Sequence, residues 1–144
     1  MRLDRARGDE WGVAVSIANQ GVIQLERGDL DGATASTGEA LQRFVDMGEA
    51  DGTAEALETL AGIAVAKGRF VRAARIAGGA ASLRRSAGIP LARIDAERLE
   101  RWLEPAQAEL GAAAFENASR EGTVMTTEQA VKYALGATTL NPSV

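Results

Sequence analysis

Glu55 and Glu58, three residues apart on what reads as one helical face, are the side chains in this chain best spaced to do chemistry together. A carboxylate pair can share acid and base roles or cleave a glycosidic bond. That chemistry needs the two groups opposed across a cleft, not adjacent on one helix. Nothing else in the sequence supplies the missing parts. There is no histidine and no cysteine, which removes the commonest general base, the commonest transition-metal ligand, thiolate nucleophiles and disulfides. Gly78-Gly79 is followed by no Lys-Ser or Lys-Thr, so it is not a phosphate loop. Paired small residues instead let helices approach closely, at a cost in helix propensity. We therefore expect no enzyme: no catalytic residues, no metal site and no cofactor. The alternative from another class is a carboxylate-based enzyme, whose turnover would be lost on changing Glu55 or Glu58 to Gln.

The elements that position these residues read as helices. Hydrophobic residues make up 46% of the 144 and aromatics only 4%, so alanine dominates the apolar share and favours closely packed helices. Glycines punctuate the chain. A helix from Glu10 to Arg27 stops at Gly28, and Asp29 offers an N-cap to a second helix running to about Met47, ended by Gly48. A third runs from about Thr53 to Lys67 before Gly68. A fourth runs from Phe70 to Ala87 before Gly88, with Pro90 behind it. Short links between amphipathic helices give antiparallel hairpins, here 10–48 and 50–88. Beyond them, Asp95 to Leu110 carries Leu99, Trp102 and Leu103 and is kinked or broken at Pro105. A short helix near Ala112–Arg120 follows, and Thr126 with Gln129 forms a capping box for a last helix ending near Leu135. The expected architecture is one all-α domain, with capping helices over 91–136 and a frayed tail over 137–144.

The hairpins repeat. Ile17, Gly28, Leu30, Ala33 and Ala40 recur forty residues later as Leu57, Gly68, Phe70, Ala73 and Ala80, the signature of stacked helix pairs. Within this register Asn19-Gln20-Gly21 and Ala33, then Thr59-Leu60-Ala61 and Ala73, resemble the small-residue spine of a tetratricopeptide repeat. The run Ala73 to Arg84 with Gly88-Ile89-Pro90, and downstream Leu110-Gly111, Phe115, Glu121-Gly122 and Thr126 to Ala130, are similar to the last repeats and closing segment of a known array. That array is the C-terminal one of large bacterial transcriptional regulators with an ATPase module and a LuxR-type helix-turn-helix. The resemblance implies a tetratricopeptide-like α-α superhelix with a helical cap, serving as the sensor or interaction part of a cytoplasmic signalling protein. It also implies that the chain is one piece of a longer polypeptide.

The work expected of such a stack is binding. Its concave surface, formed by the first helix of each hairpin, would be lined by Val15, Ala18, Val22, Glu26, Glu55, Glu58, Gly62 and Arg98. Candidate occupants are a protein or peptide, a small effector, or another domain of the same polypeptide. The alternative is a free-standing adaptor or assembly module that forms a homodimer through its first helix, split by Trp11→Glu. Charge is unevenly spread: residues 1–68 carry −6, residues 69–102 carry +5 and residues 103–144 carry −3. The basic block, with Arg69, Arg72, Arg75, Arg84 and Arg85 along one helix, would lie on solvated faces beside carboxylates or face an acidic neighbour. An acidic, aromatic-poor domain makes no direct contact with nucleic acid. With no apolar run of membrane-spanning length and a charged opening segment, Met1 to Arg7, neither a membrane nor a secretory role is expected.

Overall fold

The computed structural model describes residues 2–136, of which 2–7 as backbone only. It holds seven helices: α1 (Arg2–Glu26), α2 (Leu30–Met47), α3 (Ala50–Ala66), α4 (Phe70–Ala87), α5 (Arg93–Leu110), α6 (Ala112–Thr123) and α7 (Thr127–Ala134). Among the described residues there is no strand, and the fold is all-α. The tail expected to fray, 137–144, lies outside the described residues.

Each glycine identified as a stop ends its helix. Gly28 and Gly68 adopt φ of +82° and +76°, the left-handed conformation that only glycine enters without strain. Behind each, one backbone bond closes the turn: Asp29 N–H donates to Gln24 O at 2.9 Å, and Arg69 N–H to Ala64 O at 2.8 Å. α2 and α4 also end alike, with Glu49 N–H on Phe44 O at 2.9 Å and Ile89 N–H on Arg84 O at 3.0 Å. The forty-residue period is therefore present in the backbone hydrogen bonds. Asp29 caps α2 by accepting from Gly32 N–H at 3.0 Å. At α7, Thr126 and Gln129 satisfy each other's backbone donors in a complete capping box.

Several helix ends fall two or three residues from expectation, α3 beginning at Ala50 and α6 ending at Thr123, and two larger differences have a physical reason. α1 begins at Arg2 rather than Glu10, because nothing in the intervening segment stops a helix. α5 runs unbroken through Pro105. Proline removes one intrahelical bond, from the Arg101 carbonyl, and both residues are exposed, so water can take up that acceptor. The next residue, Ala106, is fully buried and holds the helix on course.

α3 is the axis of the packing. It touches α1, α2, α4, α5 and α7, and from Ala56 to Val65 every residue is buried. A helix that is apolar nearly all round can be stable only when enclosed on all sides. The two hairpins stack, α1 on α2, α2 on α3 and α3 on α4. α5 then lies against α3 and α4, α6 against α4, and α7 against α4 and α3. α4 and α6 approach backbone to backbone. A Cβ added at Gly78 would collide with the Ser119 carbonyl oxygen, and one at Gly122 with the Arg75 carbonyl oxygen. Gly78-Gly79 thus marks a close helix contact.

Replacing Gly78 or Gly122 by Ala should destabilise the fold by about 1–3 kcal/mol, since backbone must move to admit the methyl group. Gly12, in mid-helix with nothing within 4 Å of an added Cβ, should instead gain up to about 1 kcal/mol on becoming Ala. Chemical denaturation of the three variants checks both signs.

Candidate functional site

Asp51, Glu55, Glu58 and Gly62 follow one another at i, i+4, i+7 and i+11, forming a single stripe along α3. α5 is laid against this stripe. Trp102 closes over Gly62, with ring carbons 2.8–2.9 Å from where a Cβ would stand, so only glycine admits the indole. One turn earlier on α5, the Arg98 guanidinium stacks over the Trp102 ring at 5.1 Å and pairs with Asp95 at 3.4 Å. Four carboxylates and two arginines therefore meet where α3, α4 and α5 join. Among the described residues no three carboxylates are placed to hold a metal ion.

Glu58 is only 6% exposed. Arg84 of α4 grips it bidentately, Nε to Oε2 at 2.7 Å and Nη2 to Oε1 at 3.0 Å, and spends Nη1 on Asp51 at 3.1 Å and the Ile89 carbonyl at 3.4 Å. Burial lifts the Glu58 carboxyl above its ordinary range, while the Arg84 hydrogen bonds and charge hold it down. The same bonds more than offset the effect of burial on Arg84 and raise its guanidinium further. Glu55 is different. Half-buried, its carboxylate has no hydrogen-bond or ion-pair donor among the described residues; only its backbone carbonyl accepts, from the Thr59 hydroxyl at 3.2 Å. Burial first, then the charges of Asp95 and Asp51, push its carboxyl up, and Arg98 only partly counters them.

Eight residues were expected to line an open groove, and three do not. Ala18 is buried in the α1–α2 contact with Ala14, Ala40 and Phe44, Glu58 is locked to Arg84, and Gly62 lies under Trp102. A charged side chain on a concave face becomes internal once a later helix covers that face, and α5 does so here. Val15, Val22, Glu55 and Arg98 are half-buried and Glu26 is exposed; of these, Glu55 and Arg98 are brought together.

The basic block is largely spent inside the fold. Arg84 binds α3. Arg75 reaches Glu121 of α6 at 2.7 Å and the Tyr133 hydroxyl at 3.4 Å. Arg72 donates to the carbonyls of Tyr133 and Ala134 at 2.6 and 3.3 Å and stacks on the Tyr133 ring at 4.7 Å. The last carbonyls of α7, at the negative end of its dipole, thereby gain a cationic donor. Arg69 and Arg85 remain exposed.

The opening that sequence reasoning did not place lies elsewhere, where α1 overhangs the end of α2. A cleft of about 710 Å³ is lined by Gly8, Glu10, Trp11, Arg43, Asp46, Met47 and Glu49. Trp11 is 50% exposed there. Among the described residues that line the cleft are three carboxylates, Glu10, Asp46 and Glu49, and one arginine, Arg43, which already pairs with Glu39 at 3.0 Å. Trp11, Val15, Ala18 and Val22 share a stripe of α1, so the cleft continues the side of α1 on which Val15 and Val22 were expected to bind. The exposed indole was the available signal, and only the overhang of α1 turns it into a cleft.

Both glutamates predict measurable behaviour. Arg84→Met should cost about 3–5 kcal/mol, because it strands a buried carboxylate. Combining it with Glu58→Leu should recover much of the loss. For Glu55 the folded carboxyl binds protons more tightly than the unfolded one, so its contribution is complete at low pH and is lost as pH rises through the raised value. Glu55→Gln should therefore raise the melting temperature at pH 7 and reduce the fall in stability between pH 4.5 and 7. The chain matches no protein-family model, no curated protein and no solved structure in the comparisons made.

Proposed function

We propose that this chain is a non-catalytic binding module that captures a basic, partly apolar segment of a protein partner. The observation that carries this reading is the Trp11 cleft: a half-exposed indole beside Met47, rimmed by Glu10, Asp46 and Glu49. An aromatic face next to carboxylates suits a lysine or arginine side chain, which gains ring stacking and charge neutralisation together. The rigid helical floor limits the ordering cost of binding. Val15, Val22 and Glu26 extend the same side of α1 and would meet the residues flanking the anchor. The absence of histidine and cysteine and the internal use of Glu58 support a binding role over carboxylate catalysis. The resemblance to the arrays of bacterial regulators supports a sensor or interaction role within a signalling protein, where the captured segment belongs to a partner or to another domain of the same polypeptide.

The test is titration of the protein with arginine- and lysine-containing peptides that also carry apolar residues, followed through the Trp11 indole N–H resonance. Binding should move that resonance saturably and leave Trp102 in place. Trp11→Ala, and a Glu49→Lys variant, should each weaken binding at least tenfold. Equal binding of acidic peptides, or no change at Trp11, would sink the reading.

A further inference from the structure

The side of α1 facing away from α2 and α3 carries Asp9, Val13, Ser16, Gln20 and Ile23, and Arg27 follows in line just past the helix end; all six are exposed. Val13 and Ile23 are 46% and 49% accessible, among the most exposed large apolar residues of the chain. The forty-residue register shows what this side is built for. Its counterparts on α3 are Thr53, Ala56, Leu60 and Ile63, and all four are buried. That side of α3 is covered by α2: a Cβ at Gly52, the counterpart of Gly12, would strike the Phe44 ring. The outer side of α1 is thus in register with an established helix-packing surface but has no helix on it among the described residues.

Its sequence also identifies a partner. The positions form a palindrome about residue 18. If a second α1 is laid antiparallel, Val13 meets Ile23, Ser16 meets Gln20 and Asp9 meets Arg27, each pair occurring twice. Among the described residues neither Asp9 nor Arg27 makes an ion pair. The paired stretch spans about 27 Å at 1.5 Å per residue. An isologous contact of this kind places one patch against itself about a two-fold axis.

We infer that the chain forms a two-fold dimer through antiparallel pairing of the outer side of α1, with Asp9–Arg27 ion pairs at both ends of a Val13–Ile23 centre. Trp11 lies on another side of the helix and takes no part, so the dimer leaves the cleft open. A single helix pair is a small interface, and such contacts are weak; a dissociation constant of about 10–100 µM is expected.

Analytical ultracentrifugation over a concentration series tests this directly. Wild type should pass from monomer to dimer. Ile23→Glu should abolish association without lowering the melting temperature, because Ile23 is already solvent-accessible. Asp9→Arg and Arg27→Asp should each weaken the dimer about tenfold, and the double swap should restore it. Trp11→Glu should leave it intact. The chain has no native cysteine, so a mixture of Ser16→Cys and Gln20→Cys proteins should crosslink more than either alone, as antiparallel pairing requires. A wild-type protein that stays monomeric at about 1 mM, or a dimer indifferent to Ile23→Glu, would overturn the inference. Peptide binding at Trp11 by the monomeric Ile23→Glu variant separates this result from the fate of the binding proposal.

Discussion

Helices rich in alanine can bury area only by coming very close, and that constraint governs the rest of this structure. The largest fully buried side chains are Leu41, Leu57, Ile76 and Thr37, and among the described residues the buried aromatics are Phe44 and Tyr133. Much of the contact is therefore made backbone against backbone. Gly78 and Gly122 take it furthest, where the next helix's carbonyls occupy the space of a missing side chain. Gly21 against Thr37 and Gly62 against Trp102 are milder cases. Close-packed interiors of this type tolerate little change in volume, so each helix position depends on its neighbours' small residues. α3, enclosed on nearly every side, depends on them most.

The polar groups follow from the same constraint. With little bulk to hold α4 against its neighbours, three of its arginines serve as cross-links: Arg72 to the end of α7, Arg75 to α6 and Arg84 to α3. Buried charge pairs contribute less net stability than their distances suggest, because both ions must be dehydrated. Their larger effect is on specificity, since a different docking of α4 would leave Glu58 buried and unpaired. Some polar atoms inside stay unpartnered, among them Trp102 Nε1 and Arg98 Nε. Both lie on α5, near the Glu55 carboxylate, whose proton affinity is raised by burial and by neighbouring carboxylates.

Local rules made the helices legible: glycine stops, the Asp29 cap, the Thr126–Gln129 box and the forty-residue period can each be read without any contact between distant segments. The site was legible only in part. Glu55 and Arg98 could be grouped because the repeat register places first helices side by side. The burial of Glu58 could not be read, because it depends on which of four arginines on α4 reaches it from 26 positions away. Gly62 offers no local sign that an indole on α5 will cover it. The Trp11 cleft arises from an unequal helix length, α1 running past α2, and no local sequence signal fixes how far α1 extends beyond Glu10. Pro105 shows the reverse error, a strong local signal overridden because Ala106 is anchored and the lost bond faces water.

The Arg72 contact with the end of α7 has a consequence for how the protein is made. It joins residues 61 positions apart, so it cannot form until the last helix has left the ribosome. Each hairpin can close on itself during synthesis, because its contacts are local. α3 is then left with an open side until α5 emerges, and α4 until α6 and α7 follow. A ribosome that stalls after α4 would hold a nascent chain with its central helix half-clothed, a natural substrate for chaperones.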